Sequence, residues 1–227
     1  MILYILAAAC VAVSVPTAIL RHKGWEKSRL VAKLTASVLF CLAAFLAAAR
    51  REQPMNFQAT LMLAGLVLGL MGDIVLGVDR FVPKESRGYI LLIGGVPFFF
   101  GHVAYIALLA SFGNLNGWLL LIVPVLPLVF LLIHKSIDFG KMLVPLLLYA
   151  LVLSAMMVFT FNVALQGGPL GRLMILPGLF FTLSDTSLVL NKFGAEKLPR
   201  FVPVFTYTVP IFYFSAQALF ALSVTYL

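Results

Sequence analysis

Apolar residues run through this chain in long blocks, each about the length a helix needs to cross a bilayer, and polar residues interrupt them only briefly. The blocks fall at roughly 2–20, 29–49, 57–78, 89–112, 117–134, 141–165, 171–190 and 201–226, and Gly, Pro or charged residues mark most of the breaks. The pattern predicts an all-α polytopic membrane protein, a bundle of eight transmembrane helices forming a single domain over residues 1–227. Segment five carries Pro124 and Pro127 and is the weakest of the eight. It must nevertheless cross if the loop charges are to alternate sensibly.

Composition agrees. The 227 residues are 63% hydrophobic and 11% charged, with a mean hydropathy of +1.10, whereas soluble domains are nearer half apolar and a quarter charged. No polar stretch is long enough for a second domain. A net charge of +8 would suggest nucleic acid in a soluble protein, but here the basic residues sit in short loops, so no nucleic-acid partner is expected. One side of the bundle receives Arg21, Lys23, Lys27, Arg29, Lys33, Arg80, Lys84, Arg87, Lys135, Lys141, Lys192, Lys197 and Arg200, the other only Arg50, Arg51 and Arg172. The positive-inside rule then puts the first side in the cytoplasm and both termini outside, in a multi-pass protein of the cell (inner) membrane. The first segment has no basic residues before its apolar run and is expected to be a retained helix, not a cleaved leader. Cys10 and Cys41 both fall within apolar blocks and read as packing residues, not a disulfide.

Two aspartates break the apolar rule. Asp73 and Asp185 lie within spans, where a carboxylate is costly and normally faces the bundle interior, paired and functional. At a rise of 1.5 Å per residue both fall roughly 8 Å inside the cytoplasmic boundary, on two helices running the same way. Lys33, Tyr149, Thr206 and Tyr207 fall near that depth, and His102, Tyr105, Tyr213 and Gln217 lie closer to the bilayer centre. Helical spacing aligns Gly65, Gly69 and Asp73 on one face, Gly94, Phe98, His102 and Tyr105 on another, and Gly178, Phe181, Thr182 and Asp185 on a third. Thr206, Pro210, Tyr213 and Gln217 line a fourth. The expectation is one pocket with a charged floor and a neutral upper part.

Two carboxylates sharing a dry site resist double ionisation, leaving one as acid and the other as base. That suits hydrolysis of an acid-labile bond, one group donating a proton while the other activates water. The structural alternative is that each aspartate only caps a kink or pairs with Lys33. Of the three histidines, His22 and His134 lie at the boundary, which leaves too few for a three-histidine zinc site. No metal and no cofactor is expected, although Asp73, Asp185 and His102 together make a conceivable mixed site.

At these residues the chain resembles a known family. Gly72-Asp73 with Leu76, Gly101-His102 with Tyr105, Leu179-Phe180-Phe181-Thr182-Leu183-Ser184-Asp185 and Tyr213-Phe214-Ser215-Ala216-Gln217 are similar to motifs of the YhhN-type lysoplasmalogenases, in the same order. Tyr149 and Met156 fit that family's sixth helix. Lys33 departs from its Lys-Pro pattern, being followed by Leu34. The resemblance implies an integral membrane hydrolase that cleaves the vinyl ether of a lysoplasmalogen. The products would be a fatty aldehyde and glycerophosphoethanolamine or glycerophosphocholine. It also implies Asp73 and Asp185 as catalytic residues and His102, Tyr105, Lys33, Tyr149, Ser184, Tyr213 and Gln217 as substrate-binding residues. The membrane lipid itself, a lysophospholipid, would be the partner. A proton-coupled transporter or lipid-binding protein using the same carboxylates is the alternative.

Overall fold

Backbone in hydrocarbon has no water to bond, so an apolar chain of this kind satisfies its amides internally by coiling into helices. A computed structural model describes residues 1–51 and 55–227, apart from the side chains of His22 and Lys84. The helices in order are α1 (Ile2–His22), α2 (Glu26–Ala49), α3 (Phe57–Gly77), α4 (Arg87–Ala110), α5 (Val125–Ile133), α6 (Leu143–Leu165), α7 (Gly168–Met174), α8 (Pro177–Phe193) and α9 (Val202–Ser223). No strand occurs among the described residues, and seven of their helical stretches are long and apolar enough to cross a membrane. The chain is an all-α, multi-pass membrane protein.

Two segments depart from regular spans, and both departures have a proline behind them. Segment five opens as a 3₁₀ turn over Gly117–Ile122 and becomes α-helix only at Val125, after Pro124. Six residues rising 2.0 Å each and nine rising 1.5 Å still cover roughly 25 Å. Its ends meet opposite ends of the bundle. Near its start, the Asn116 amide donates to Asn162 Oδ1 late in α6 (3.0 Å). Past its end, Phe139 packs on Phe193 at the close of α8 (5.6 Å between ring centres). The segment therefore runs from one end of the bundle to the other, although it is shorter than the seven stretches long enough to cross a membrane. Segment seven is divided into α7 and α8, and Pro177 opens α8, where its missing N–H removes nothing. Segment two begins at Glu26, earlier than the apolar run suggests, because Glu26 sits in the first turn of α2 and accepts from Arg29 Nε at 2.7 Å.

Outside, Phe45, Leu128, Leu132 and Leu148 are exposed, as a lipid-facing surface requires. Inside, Phe40, Phe181, Phe214 and Phe220 build the main core between α2, α8 and α9. Cys10 and Cys41 are buried free thiols within it.

The small residues of α3 set how closely its neighbours approach. A Cβ on Gly65 would overlap the Tyr105 ring, one on Gly69 the Gln217 amide, and one on Gly72 the Phe98 ring. Each glycine is thus a hole filled by a side chain from α4 or α9. Gly65→Leu is expected to force these helices apart and cost about 1–3 kcal/mol, read as a lowered unfolding temperature in detergent. Gly95→Ala, whose added Cβ would meet nothing within 4 Å, should leave that temperature unchanged or slightly raised. Equal behaviour of the two variants would refute this account of the α3 packing.

Candidate functional site

Asp73 emerges from the third turn of the glycine column and is 1% exposed. A carboxylate this deep needs every lone pair occupied. Lys33 Nζ of α2 lies 3.0 Å from Oδ1, while Ser37 Oγ, one turn further along α2, donates to Oδ2 at 2.6 Å. Tyr213 Oη of α9 donates to the same oxygen at 2.6 Å. The network continues away from the carboxylate: Gln217 Nε2 donates to Tyr213 Oη at 3.2 Å, and Tyr105 Oη donates to Gln217 Oε1 at 2.9 Å. Four helices are tied together through one ion pair and four hydrogen bonds.

Asp185 on α8 has a different and sparser set of partners. Tyr149 Oη of α6 donates to Oδ2 at 2.6 Å, and His102 Nε2 of α4 lies 3.0 Å from that hydroxyl and 3.7 Å from the carboxylate. His102 is 1% exposed, wedged edge-on against Phe181 with ring centres 4.8 Å apart, and its Nδ1 has no partner among the described residues. Phe181 in turn meets Tyr213 edge-on at 5.4 Å. An aromatic wall of three rings therefore joins the two networks.

Both aspartates line one cavity of about 880 Å³. Lys33, Tyr149, Ser184, Thr206 and Tyr213 line it too. Its inner walls are Phe98, Phe99, Phe214 and aliphatic residues, and its mouth carries Arg21, Arg29, Arg80, Arg87 and Lys192. On one flank, Leu92, Val96 and Phe100 of α4 and Leu148 of α6 both line the cavity and are exposed on the outer face.

Of the residues singled out from sequence, Asp73, Asp185, Lys33, Tyr149, Ser184 and Tyr213 meet at this cavity. His102, Tyr105 and Gln217 do not line it but stand behind its wall, holding the residues that do. The Ser184 hydroxyl donates to the Val209 carbonyl at 3.0 Å and so faces α9. Tyr207 is 39% exposed and lies off the cavity. Ser37 was not foreseen, although it stands four residues after Lys33 and so shares its face. The clustering of five basic residues around one mouth was also missed, because loop charges give no distance between loops.

The basic residues of the α1–α2, α3–α4 and α8 ends converge on a single end of the bundle. No three His, Cys, Asp or Glu side chains gather as a metal-binding group among the described residues.

No curated protein and no solved structure matches the chain. The family model described as "YhhN family" matches residues 28–224, a span that takes in every residue of both carboxylate networks. The chain belongs to the YhhN family.

Proposed function

We propose that this protein is an intramembrane hydrolase that cleaves the vinyl ether of a lysoplasmalogen by aspartate acid/base chemistry. The observation that carries the reading is the cavity. One chamber holds two aspartates from different helices, apolar walls open to the lipid on one flank, and a ring of cations at its mouth. That is the negative image of an amphiphile with its labile bond between tail and head group.

The different surroundings of the two carboxylates support a division of labour. Asp73 is held by an ammonium and two hydroxyl donors, which favours a fixed anion. Asp185 accepts only from Tyr149 among the described hydrogen bonds, and its side chain keeps 13% exposure, which suits a group that trades protons. In the neutral form, Asp185 delivers its proton to the vinyl carbon that does not bear oxygen. The double-bond electrons form that C–H bond, and the ether oxygen's lone pair makes an oxocarbenium ion. Asp73 faces the cation with its charge, offsetting the positive centre where water is scarce. Water adds to the cationic carbon and gives its proton to the Asp185 carboxylate, restoring the acid. The hemiacetal then collapses, its hydroxyl proton passing to the departing oxygen. The products are a fatty aldehyde and a glycerophosphodiester, which the family resemblance implies to be glycerophosphoethanolamine or glycerophosphocholine. One water is consumed and no net proton, so the cycle needs no cofactor. Tyr149 and His102 position Asp185, and Tyr213 with Gln217 positions Asp73. The substrate is drawn from the surrounding membrane. In this reading the basic end faces the cytoplasm of the cell (inner) membrane, in keeping with the charge bias.

Incubating purified protein in detergent with a lysoplasmalogen should release aldehyde. A sealed membrane and gradient are then absent, so release excludes a protein that only transports, and its absence sinks the hydrolase reading. Asp73→Asn and Asp185→Asn should each lower the rate roughly 10²–10⁴-fold while the protein remains folded by circular dichroism and size-exclusion chromatography. Tyr149→Phe should slow turnover by roughly tenfold or more, the worth of one hydrogen bond to a charged group. Its KM should change little, since Tyr149 acts through Asp185. A raised KM with unaltered kcat would assign Tyr149 to substrate binding instead.

A further inference from the structure

The cavity mouth has an excess of donors that the fold itself does not use. Arg29 is satisfied within the protein, its guanidinium lying 2.7 Å from Glu26 and 3.3 Å from Asp79. Those two contacts engage the acidic side chains beside it. Arg21, Arg80, Arg87 and Lys192 stand around the same opening, and none has a carboxylate within 4.0 Å among the described residues. Lys192 Nζ donates to the Arg87 carbonyl at 2.9 Å, which draws α8 against the start of α4 and fixes the two cations side by side. Two further donors are buried there with no partner among the described residues: Arg87 Nε and Asn191 Nδ2, Asn191 being only 7% exposed. Buried polar atoms are nearly always paired, so orphans converging on a cavity mark the place of an absent acceptor.

We propose that the mouth is a cradle for the phosphate of a lysophospholipid whose head group is net anionic, a phosphodiester such as phosphoglycerol, in preference to a zwitterionic one. The inference rests on the reading of the cavity as a lipid site and names its head-group class. Guanidinium groups match phosphate oxygens in bidentate geometry, and Asn191 supplies a neutral donor to the same group. A choline or ethanolamine would bring another cation into a ring of cations where Asp79, the carboxylate that lines the cavity at that end, is already committed to Arg29. Like charges in a poorly screened site repel. The ethanolamine and choline heads that the family resemblance implies then become the weaker ligands.

The test uses binding, not turnover, with ligands that carry no vinyl ether. Full-length protein in detergent is titrated with oleoyl lysophosphatidylglycerol, oleoyl lysophosphatidylcholine and water-soluble glycerol 3-phosphate. Affinity is read by thermal shift and by displacement of a fluorescent lysolipid. Lysophosphatidylglycerol is expected to bind at least tenfold more tightly than lysophosphatidylcholine, and glycerol 3-phosphate far more weakly than either. Arg87→Gln should erase most of that preference, and Asn191→Leu should weaken both lysolipids about tenfold. Asn191→Leu removes an unpaired donor, so its unfolding temperature without ligand should hold even if Arg87→Gln proves unstable. Equal affinities for the two lysolipids overturn the proposal. So does glycerol 3-phosphate binding as tightly as lysophosphatidylglycerol, which would make the mouth a site for soluble phosphate. So does an affinity for both lysolipids that Asn191→Leu leaves unchanged. Anion-selective binding without aldehyde release from an alkenyl lipid would keep the head-group cradle and reject the hydrolase. Aldehyde release without head-group preference would do the reverse.

Discussion

The Asp73–Lys33 ion pair, 3.0 Å long and buried among apolar helices, is the constraint to which the rest of the bundle answers. Taking the Asp73 charge out of water without a partner would cost several kcal/mol, a large share of the stability of a typical fold. Together the two charges are tolerable only if the remaining lone pairs are filled and the helices that carry them hold still. Ser37 and Tyr213 fill Oδ2, and Gln217 and Tyr105 hold Tyr213 in place. The glycines of α3 serve the same end: Tyr105 and Gln217 occupy the spaces that Gly65 and Gly69 leave. Small residues on this helix are less a generic packing device than the negative of the polar network pressed against them.

Asp185 lies under no such constraint. It has one hydrogen bond and a more distant histidine, and it borders the open cavity. The asymmetry has a structural origin in the divided seventh segment. Pro177 restarts the helix at α8, so α8 takes its direction from α9 and α6, independently of α7. The Thr160 side chain of α6 fills the notch at Gly178, bringing α6 close enough for Tyr149, earlier on the same helix, to reach Asp185. A rigid anion and a looser carboxyl group are thus products of two different packing solutions.

The sequence made the spans, the basic end and the two aspartates legible because each rests on a short-range rule. Hydropathy requires only a window of residues, and the cost of a charge in hydrocarbon holds whichever neighbours it finds. The pairing of Lys33 with Asp73 was within reach for the same reason, since matching depth follows from counting. What depth and periodicity could not supply is azimuth. His102, Tyr105 and Gln217 fall at the right level and on polar stripes, yet they stand behind the wall and not on it. A helical stripe says which residues share a face, not how far that face lies from the cavity. Segment five shows the complementary case: its prolines obscured its helix type, while its ends still reach opposite ends of the bundle.

The cavity's two halves place opposite demands on one chamber. Forming an oxocarbenium ion needs an anion nearby and little water, because bulk water would screen the anion. Holding a phosphate needs several cations, which would raise the energy of a carbocation if they stood beside it. Separating the two along the cavity resolves the conflict. Asp73 and Asp185 lie about one helical turn or more from the helix ends, whereas Arg21, Arg87 and Lys192 occupy the ends themselves. Lys33 is the only cation at the depth of Asp73 among the described side chains lining the cavity, and it is already committed to that aspartate. A chain that moved a second, unpaired cation one turn inward would gain nothing at the head group and would oppose the charge that the chemistry must create.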